Sequence, residues 1–335
     1  MTDPGGVHRG VLEGPRVHTS EGPGSGPPPA ADTPGSERLM EFLRPTSWSE
    51  ALAAKAAHPE AVPLAGGTDV MVQLNFDHLR PAHLLDLGRV AELGTHERDG
   101  AQVRIGASVP YTTLIEELRD DLPALALAAH TVASPQIRNR GSVGGNLGTA
   151  SPAGDAHPAL LAAGAEVEAE SVRGRRRIPI DDFYTGVKRN ALAPDELIRA
   201  VRVDRATGPQ QFAKVGTRNA MVIAVCAFSL ALHPDRRTVR TGIGSAAPTP
   251  VRAEAAEDFL TAVLDEHRCW ETGRPPPPSA AARFAQLCAE ACRPIDDVRG
   301  TADYRRHAIA VLARRTLHWT WTSYGERARS TEGAA

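Results

Sequence analysis

Apolar positions along the chain fall into two textures. Between about residues 42 and 250, short apolar or alternating runs at 62–65, 84–87 and 103–109 are bounded by Gly, Pro and Asp. Runs of this kind predict strands. Asp99-Gly100 is a hairpin turn signal ahead of the third. Segments 167–171 and 177–180 pair across a tip at Arg173-Gly174. Segments 211–215, 222–233 and 238–245 form a second strand set, the last two joined at Pro234-Asp235. Helices interrupt the strands. One runs to residue 57 behind a capping-box pair, Ser47 and Glu50; another runs to 118 with Thr113 and Glu116 in the same spacing; a third covers 124–132. After Pro250 the period becomes helical, over 253–263, 280–291 and 304–317. Strands followed by helices, without strict alternation, predict an α+β fold.

Composition narrows the class. Residues 1–36 are rich in Gly, Pro, Ser and His, a mixture that predicts a disordered extension; 323–335 is expected to be a disordered tail. The remaining length suits two domains, at 37–207 and 208–322. Lys and Arg number 38 against 40 Asp and Glu, so no polyanion-binding footprint is expected and no nucleic-acid partner is predicted. The basic run 173–177 (R-G-R-R-R) reads as a solvated hairpin tip. The longest apolar run, 221–232, is well short of the roughly 20 residues of a membrane helix, so no membrane span is expected. No signal-peptide pattern stands at the N-terminus, and Cys226, Cys269, Cys288 and Cys292 are too scattered for a disulfide scaffold, which points to the cytoplasm. Lacking a C-x-x-C, the four cysteines are expected to be buried thiols, and no metal ligands are assigned.

Two glycine-rich stretches carry the chemistry. Residues 64–69, L-A-G-G-T-D, end a strand in paired glycines, whose amides can form a nest for phosphate oxygens, although taken alone the stretch reads as a plain tight turn. Residues 136–155 read Q-I-R-N-R-G-S-V-G-G-N-L-G-T-A-S-P-A-G-D, with four glycines in eight residues among Ser142, Asn146 and Thr149, then Ser151 and Asp155. Backbone donors, neutral side-chain donors and one carboxylate for sugar hydroxyls suit a dinucleotide pyrophosphate. No Lys follows the glycines, so the Walker pattern fails. The string 242–247, G-I-G-S-A-A, matches the Rossmann fingerprint, but Pro248 and Pro250 forbid the helix that fingerprint requires, so a strand end and turn is expected. His130 and His157 flank the second stretch and read as surface or core residues, so no catalytic residue is assigned.

Together the two stretches resemble those of the FAD-binding medium subunit of molybdenum hydroxylases, the xanthine, carbon monoxide and aldehyde dehydrogenase-type enzymes. The resemblance extends over about residues 40–320 and includes D-E-L-I at 195–198, F-A-K-V-G-T-R at 212–218 and D-V-R-G-T-A-D-Y-R-R-H at 297–307. It implies a two-part FAD-binding domain of the vanillyl-alcohol-oxidase type, followed by a three-stranded sheet with helices. By the same resemblance Leu64, Ala65, Gly66, Gly67, Thr68 and Asp69 wrap the FAD pyrophosphate, and Val132 and Ala133 lie beside the flavin or adenine. Ser142, Val143, Gly144, Gly145, Asn146, Thr149 and Ser151 belong to the second loop. Asp155 binds FAD hydroxyls, Leu197 and Ile198 pack near adenine, and Lys214 lies near the isoalloxazine edge. Single-chain xanthine dehydrogenases carry an aromatic near the place of Val132, which is aliphatic here. The implied assembly is a heterotrimer with a small [2Fe–2S] subunit and a large molybdopterin-Mo subunit. Electrons would reach FAD in this chain and leave to NAD, a quinone or oxygen. A free-standing FAD oxidoreductase and a non-enzymatic nucleotide-binding protein are the alternatives.

Overall fold

The structure, a computed structural model, describes residues 40–332, with side chains to residue 329; the expected disordered head lies outside the described residues. Its first layer holds β1 (Glu41–Leu43), α1 (Trp48–Ala57), β2 (Val62–Leu64), α2 (Val70–Asn75) and β3 (His83–Asp86). The three strands form a parallel sheet in the order β1-β3-β2. Ser47 caps α1 as expected, its Oγ accepting from the Glu50 N–H at 3.2 Å. The return bond lands one residue early, because Glu50 accepts from the Thr46 N–H and hydroxyl at 2.7 and 2.9 Å.

Next come β4 (His96–Asp99), β5 (Gln102–Gly106), α3 (Tyr111–Glu117), α4 (Pro123–His130), α5 (Pro135–Arg138), α6 (Val143–Thr149) and α7 (Ala156–Ala163). They lead to β6 (Glu166–Ser171), β7 (Gly174–Pro179), α8 (Ile180–Phe183), the hairpin β8 (Tyr184–Gly186) with β9 (Arg189–Asn190), and β10 (Leu197–Asp204). Five strands pair antiparallel in the order β4-β5-β10-β6-β7. The central strand, β10, is not predicted from the sequence, since two arginines, Arg199 and Arg202, break its apolar run. Pro110, preset at φ −68°, starts α3, so Thr113 lies inside that helix instead of capping it.

Charge inside this sheet is neutralised across strands. Glu168 is buried on β6 and accepts from Arg104 on β5 (2.7 and 2.9 Å) and Arg202 on β10 (2.5 Å). Burial pushes the Glu168 carboxyl up, but the two guanidiniums outweigh it and hold it below the usual glutamate value. A lowered carboxyl contributes stability that is full above its unfolded pKa, about 4.3, and is lost as pH falls through the folded value. Glu168→Gln should therefore be less stable than the parent at pH 7, and the gap should shrink below about pH 4. Urea unfolding at the two pH values measures it; an equal gap at both would remove the ion triad as the cause.

Last come β11 (Gln210–Val215), β12 (Cys226–His233), β13 (Thr238–Gly244), α9 (Glu254–Glu266), α10 (Cys269–Thr272), α11 (Pro278–Glu290) and α12 (Ala302–Glu332). The three strands form an antiparallel sheet in chain order. Every residue of β12 is buried, because α4 and α7 pack against this sheet as well as α9 and α12. Ala227 joins the core of the first part, whereas Cys226, Phe228, Leu230 and Leu232 join a second core with Phe284 and Trp321. The string at 242–247 proves to be the end of β13 and a turn, as the prolines require. Its glycines serve packing: a Cβ at Gly242 would stand 2.0 Å from the Pro158 carbonyl oxygen of α7. Gly242→Ala should lose about 1–3 kcal/mol or more to overpacking, read as a lower thermal midpoint; an unchanged midpoint would show that α7 can move aside.

The last helix runs to Glu332, past residue 317 where its predicted end falls and through residues 323–332 of the expected tail. Aromatic contacts extend it. Trp321 Nε1 donates to the Arg274 carbonyl and Tyr324 OH to that of Trp270, both at 2.8 Å. All four cysteines are free and buried, as expected, and burial pushes the Cys226 thiol up to about 12. No helix among the described residues is long and apolar enough to cross a membrane.

Candidate functional site

Both glycine-rich stretches converge on one cleft of about 660 Å³, within the usual range for organic-ligand sites. The first is a tight turn between β2 and α2 in which Gly67 takes φ +77°, a left-handed conformation open to glycine at little cost. Gly66 lies flat against the second stretch: a Cβ there would stand 1.8 Å from the Arg140 carbonyl oxygen. Thr149 Oγ1 donates to Asp69 Oδ2 at 3.3 Å and ties the far ends together. The paired glycines thus let two backbones touch, bringing two sets of amides into one concavity.

The second stretch is more ordered than a loop. Ser142 caps α6, its Oγ accepting from the Gly145 N–H at 3.1 Å, and the helix runs through three glycines to Thr149. Glycine is a poor helix former; packing forces the helix here. Gly144 sits so close to β5's end that a Cβ would be 2.4 Å from the Ala107 carbonyl oxygen. Gly145 and Gly148 instead face outward, and a Cβ on Gly148 would meet no atom within 4 Å. The first-turn amides of Val143 and Gly144 have no intrahelical acceptor. Among the side chains lining the cleft Lys55 is the sole cation, and its ammonium already donates to the Pro59 and Ala61 carbonyls at 2.8 and 2.7 Å. An anion here would therefore be held chiefly by backbone dipoles.

Four polar atoms on this lining, Ser108 Oγ, Tyr111 OH, Asn146 Oδ1 and Asp155 Oδ1, are buried without a hydrogen-bond partner. An unsatisfied buried polar group costs about 1–3 kcal/mol, so four in one cleft fit a polar, hydroxyl-bearing guest. Asp155 is held from behind: Lys214 Nζ donates to its Oδ2 at 2.7 Å and to the Thr131 carbonyl at 2.9 Å. Burial raises the Asp155 carboxyl and the Lys214 charge opposes the rise. Burial also pushes the Tyr111 hydroxyl up, so it stays protonated. His157, fully buried with Nδ1 2.8 Å from Tyr184 OH, is pushed down to about 3 and remains a neutral core residue; His130 is exposed.

The cleft collects most of the expected positions: Ala65, Gly66, Gly67, Thr68, Asp69, Val132, Ser142, Gly144, Gly145, Asn146, Thr149, Ser151, Asp155, Leu197 and Ile198. Four stand behind its wall. Leu64 ends β2, Val143 points into the core, and Ala133 has its carbonyl held by Arg138 at 3.1 Å. Lys214, expected at the ring edge, reaches the cleft only through Asp155. Ser108, Tyr111, Asn190 and the 192–194 turn also line the cleft and carry no motif in the sequence that marks them. Asn190 Nδ2 donates to the Gly148 carbonyl at 3.0 Å and so fixes the end of α6.

Residues 38–205 match the family described as the FAD binding domain in molybdopterin dehydrogenase, and 211–320 the CO dehydrogenase flavoprotein C-terminal domain. Among relatives, the xanthine dehydrogenase FAD-binding subunit of Escherichia coli O157:H7 is 36% identical over 229 residues, 65% of this chain and 78% of that one. The carbon monoxide dehydrogenase medium chain of Hydrogenophaga pseudoflava is 30% identical over 290 residues, 84% of this chain and 97% of that one. A solved carbon monoxide dehydrogenase from the same organism superposes with TM-score 0.77, covering 85% of this chain and 98% of its counterpart. With its two glycine loops, its polar cleft and its three-stranded C-terminal sheet, the chain belongs to the FAD-binding medium subunits of the molybdopterin hydroxylases, the xanthine and carbon monoxide dehydrogenase family.

Proposed function

We propose that the cleft seats the FAD pyrophosphate between the 66–68 turn and the start of α6, and its hydroxyls against Asn146 and Asp155. The observation that carries this is the convergence of two backbone nests with four buried, unpartnered polar atoms. Bound flavin supplies one- and two-electron redox chemistry. The chain's residues bind and orient it: Lys214 holds Asp155 in place, Leu197 and Ile198 give an apolar wall, and Tyr111 keeps its proton as a donor. No side chain need move a proton from an organic substrate.

The subunit relays electrons from a small [2Fe–2S] partner, reduced in turn by a large molybdopterin subunit, to NAD, a quinone or oxygen in the cytoplasm. An exposed apolar rim supports a docked partner: Met71 and Val72 on α2, Phe76 just past its end, and Met221 and Ile223 before β12. In the test, all three subunits are purified together and given the large subunit's substrate without oxygen. Flavin bleaching is expected in the trimer and absent from this chain alone. Substrate turnover by the isolated chain would instead mark a free-standing oxidoreductase, and a chain that never retains flavin a nucleotide-binding protein.

A further inference from the structure

At the starts of β2 and β3, the strand ends opposite the Gly66 turn, His58, Glu60 and His83 bring one ligand atom each to within 4.8 Å of the others. We infer that these three side chains form a divalent-metal site of the zinc class, separate from the flavin loops. Glu60 Oε1 lies 2.8 Å from His83 Nδ1 and 3.7 Å from His58 Nδ1. Two ligands bound tetrahedrally at zinc distances stand about 3.4 Å apart, so the observed pair of separations brackets what a metal requires. Two imidazoles and a carboxylate are a borderline N/O set that selects zinc-like ions over magnesium or calcium.

The surroundings are built for this role. His58 ends α1 and Pro59 stiffens the His-Pro-Glu turn, closed by the Ala61 N–H on the His58 carbonyl at 2.9 Å. Buried Lys55 fastens the same turn from beneath through the Pro59 and Ala61 carbonyls. His83 lies opposite Glu41 in the β1–β3 register, and its Nε2 is 3.6 Å from Glu41 Oε2. A histidine with one nitrogen toward the metal and the other toward a carboxylate is the usual orienting arrangement of protein metal sites. His83 Nδ1 is buried and makes no well-aligned hydrogen bond, despite its closeness to Glu60. A metal would use that lone pair.

Titrating the untagged full chain with Zn²⁺ by calorimetry should give one site, and Co²⁺ should give the visible absorption of a tetrahedral N/O complex. His58→Ala and His83→Ala should each weaken binding at least tenfold. Glu41→Gln, changing a positioning residue, should weaken it about 10–100-fold while leaving the Co²⁺ spectrum tetrahedral. The head of the chain carries His8 and His18, so the His8→Ala/His18→Ala chain must bind as the parent does. Circular dichroism and flavin content verify folding of each variant. The proposal is overturned if the parent shows no stoichiometric site, if either cluster histidine variant binds normally, or if the head variant alone abolishes binding.

Discussion

A Gly145→Val chain is expected to emerge folded and colourless, with flavin content reduced at least tenfold and its C-terminal half intact. Gly145 is exposed on the cleft face of α6, so the added branches project into the space that the pyrophosphate would take. A Cβ there would also sit 3.3 Å from Ser142 Oγ, which caps the helix. A parallel Gly148→Val chain separates the two effects, because its Cβ touches no protein atom within 4 Å. Loss of flavin in both, with the thermal midpoint of the second equal to that of the flavin-free parent, is the expected pair of results. Normal flavin in both would move the pyrophosphate away from α6.

Lys214→Met is expected to have the largest effect on stability. It removes the one ion-pair partner that the Asp155 carboxylate, 11% exposed, has among the described residues. Breaking a buried pair by deleting one member costs about 3–5 kcal/mol, because the other charge stays buried. Asp155→Asn added to Lys214→Met should recover part of that loss by neutralising the stranded charge, whereas a gap of the same size in the double variant would place the damage elsewhere. Chemical unfolding of the three chains measures it. Flavin affinity should fall in both variants, since Asp155 loses its anchor in the first and its charge as well in the second.

These two sites differ in how far they can be read from the sequence. The glycine stretches are legible because glycines interleaved with Ser, Asn and Thr have a chemical meaning wherever they fold. That 143–149 is helical is not legible: Gly144 of this helix is abutted by Ala107, the residue that follows β5, far away in the sequence. Ser108, Tyr111 and Asn190 reach the cleft by tertiary placement alone, and their neighbours in sequence carry no common signal. β12 is found because it is continuously apolar, yet its start falls at Cys226, not 222: Met221 and Ile223 are exposed, and the buried Ala224 and Val225 lie ahead of the strand. β10 is missed for the opposite reason. Its arginines look solvated until Glu168 is seen beside Arg202.

The placement of α7 bears on whether the chain can be divided. Its first turn carries Asp155 into the cleft, while its Pro158 lies against Gly242 of the far sheet, and Lys214 of that sheet reaches back to Asp155. The two parts of the chain therefore share a seam of close packing and a buried ion pair. A fragment ending near residue 207 would strand an unpaired carboxylate and strip an apolar helix pair of its cover, and should aggregate instead of gaining colour with FAD. A chimera with this chain's flavin loops should hold its flavin only if the strand bearing Lys214 and the glycines of β13 come from this chain as well.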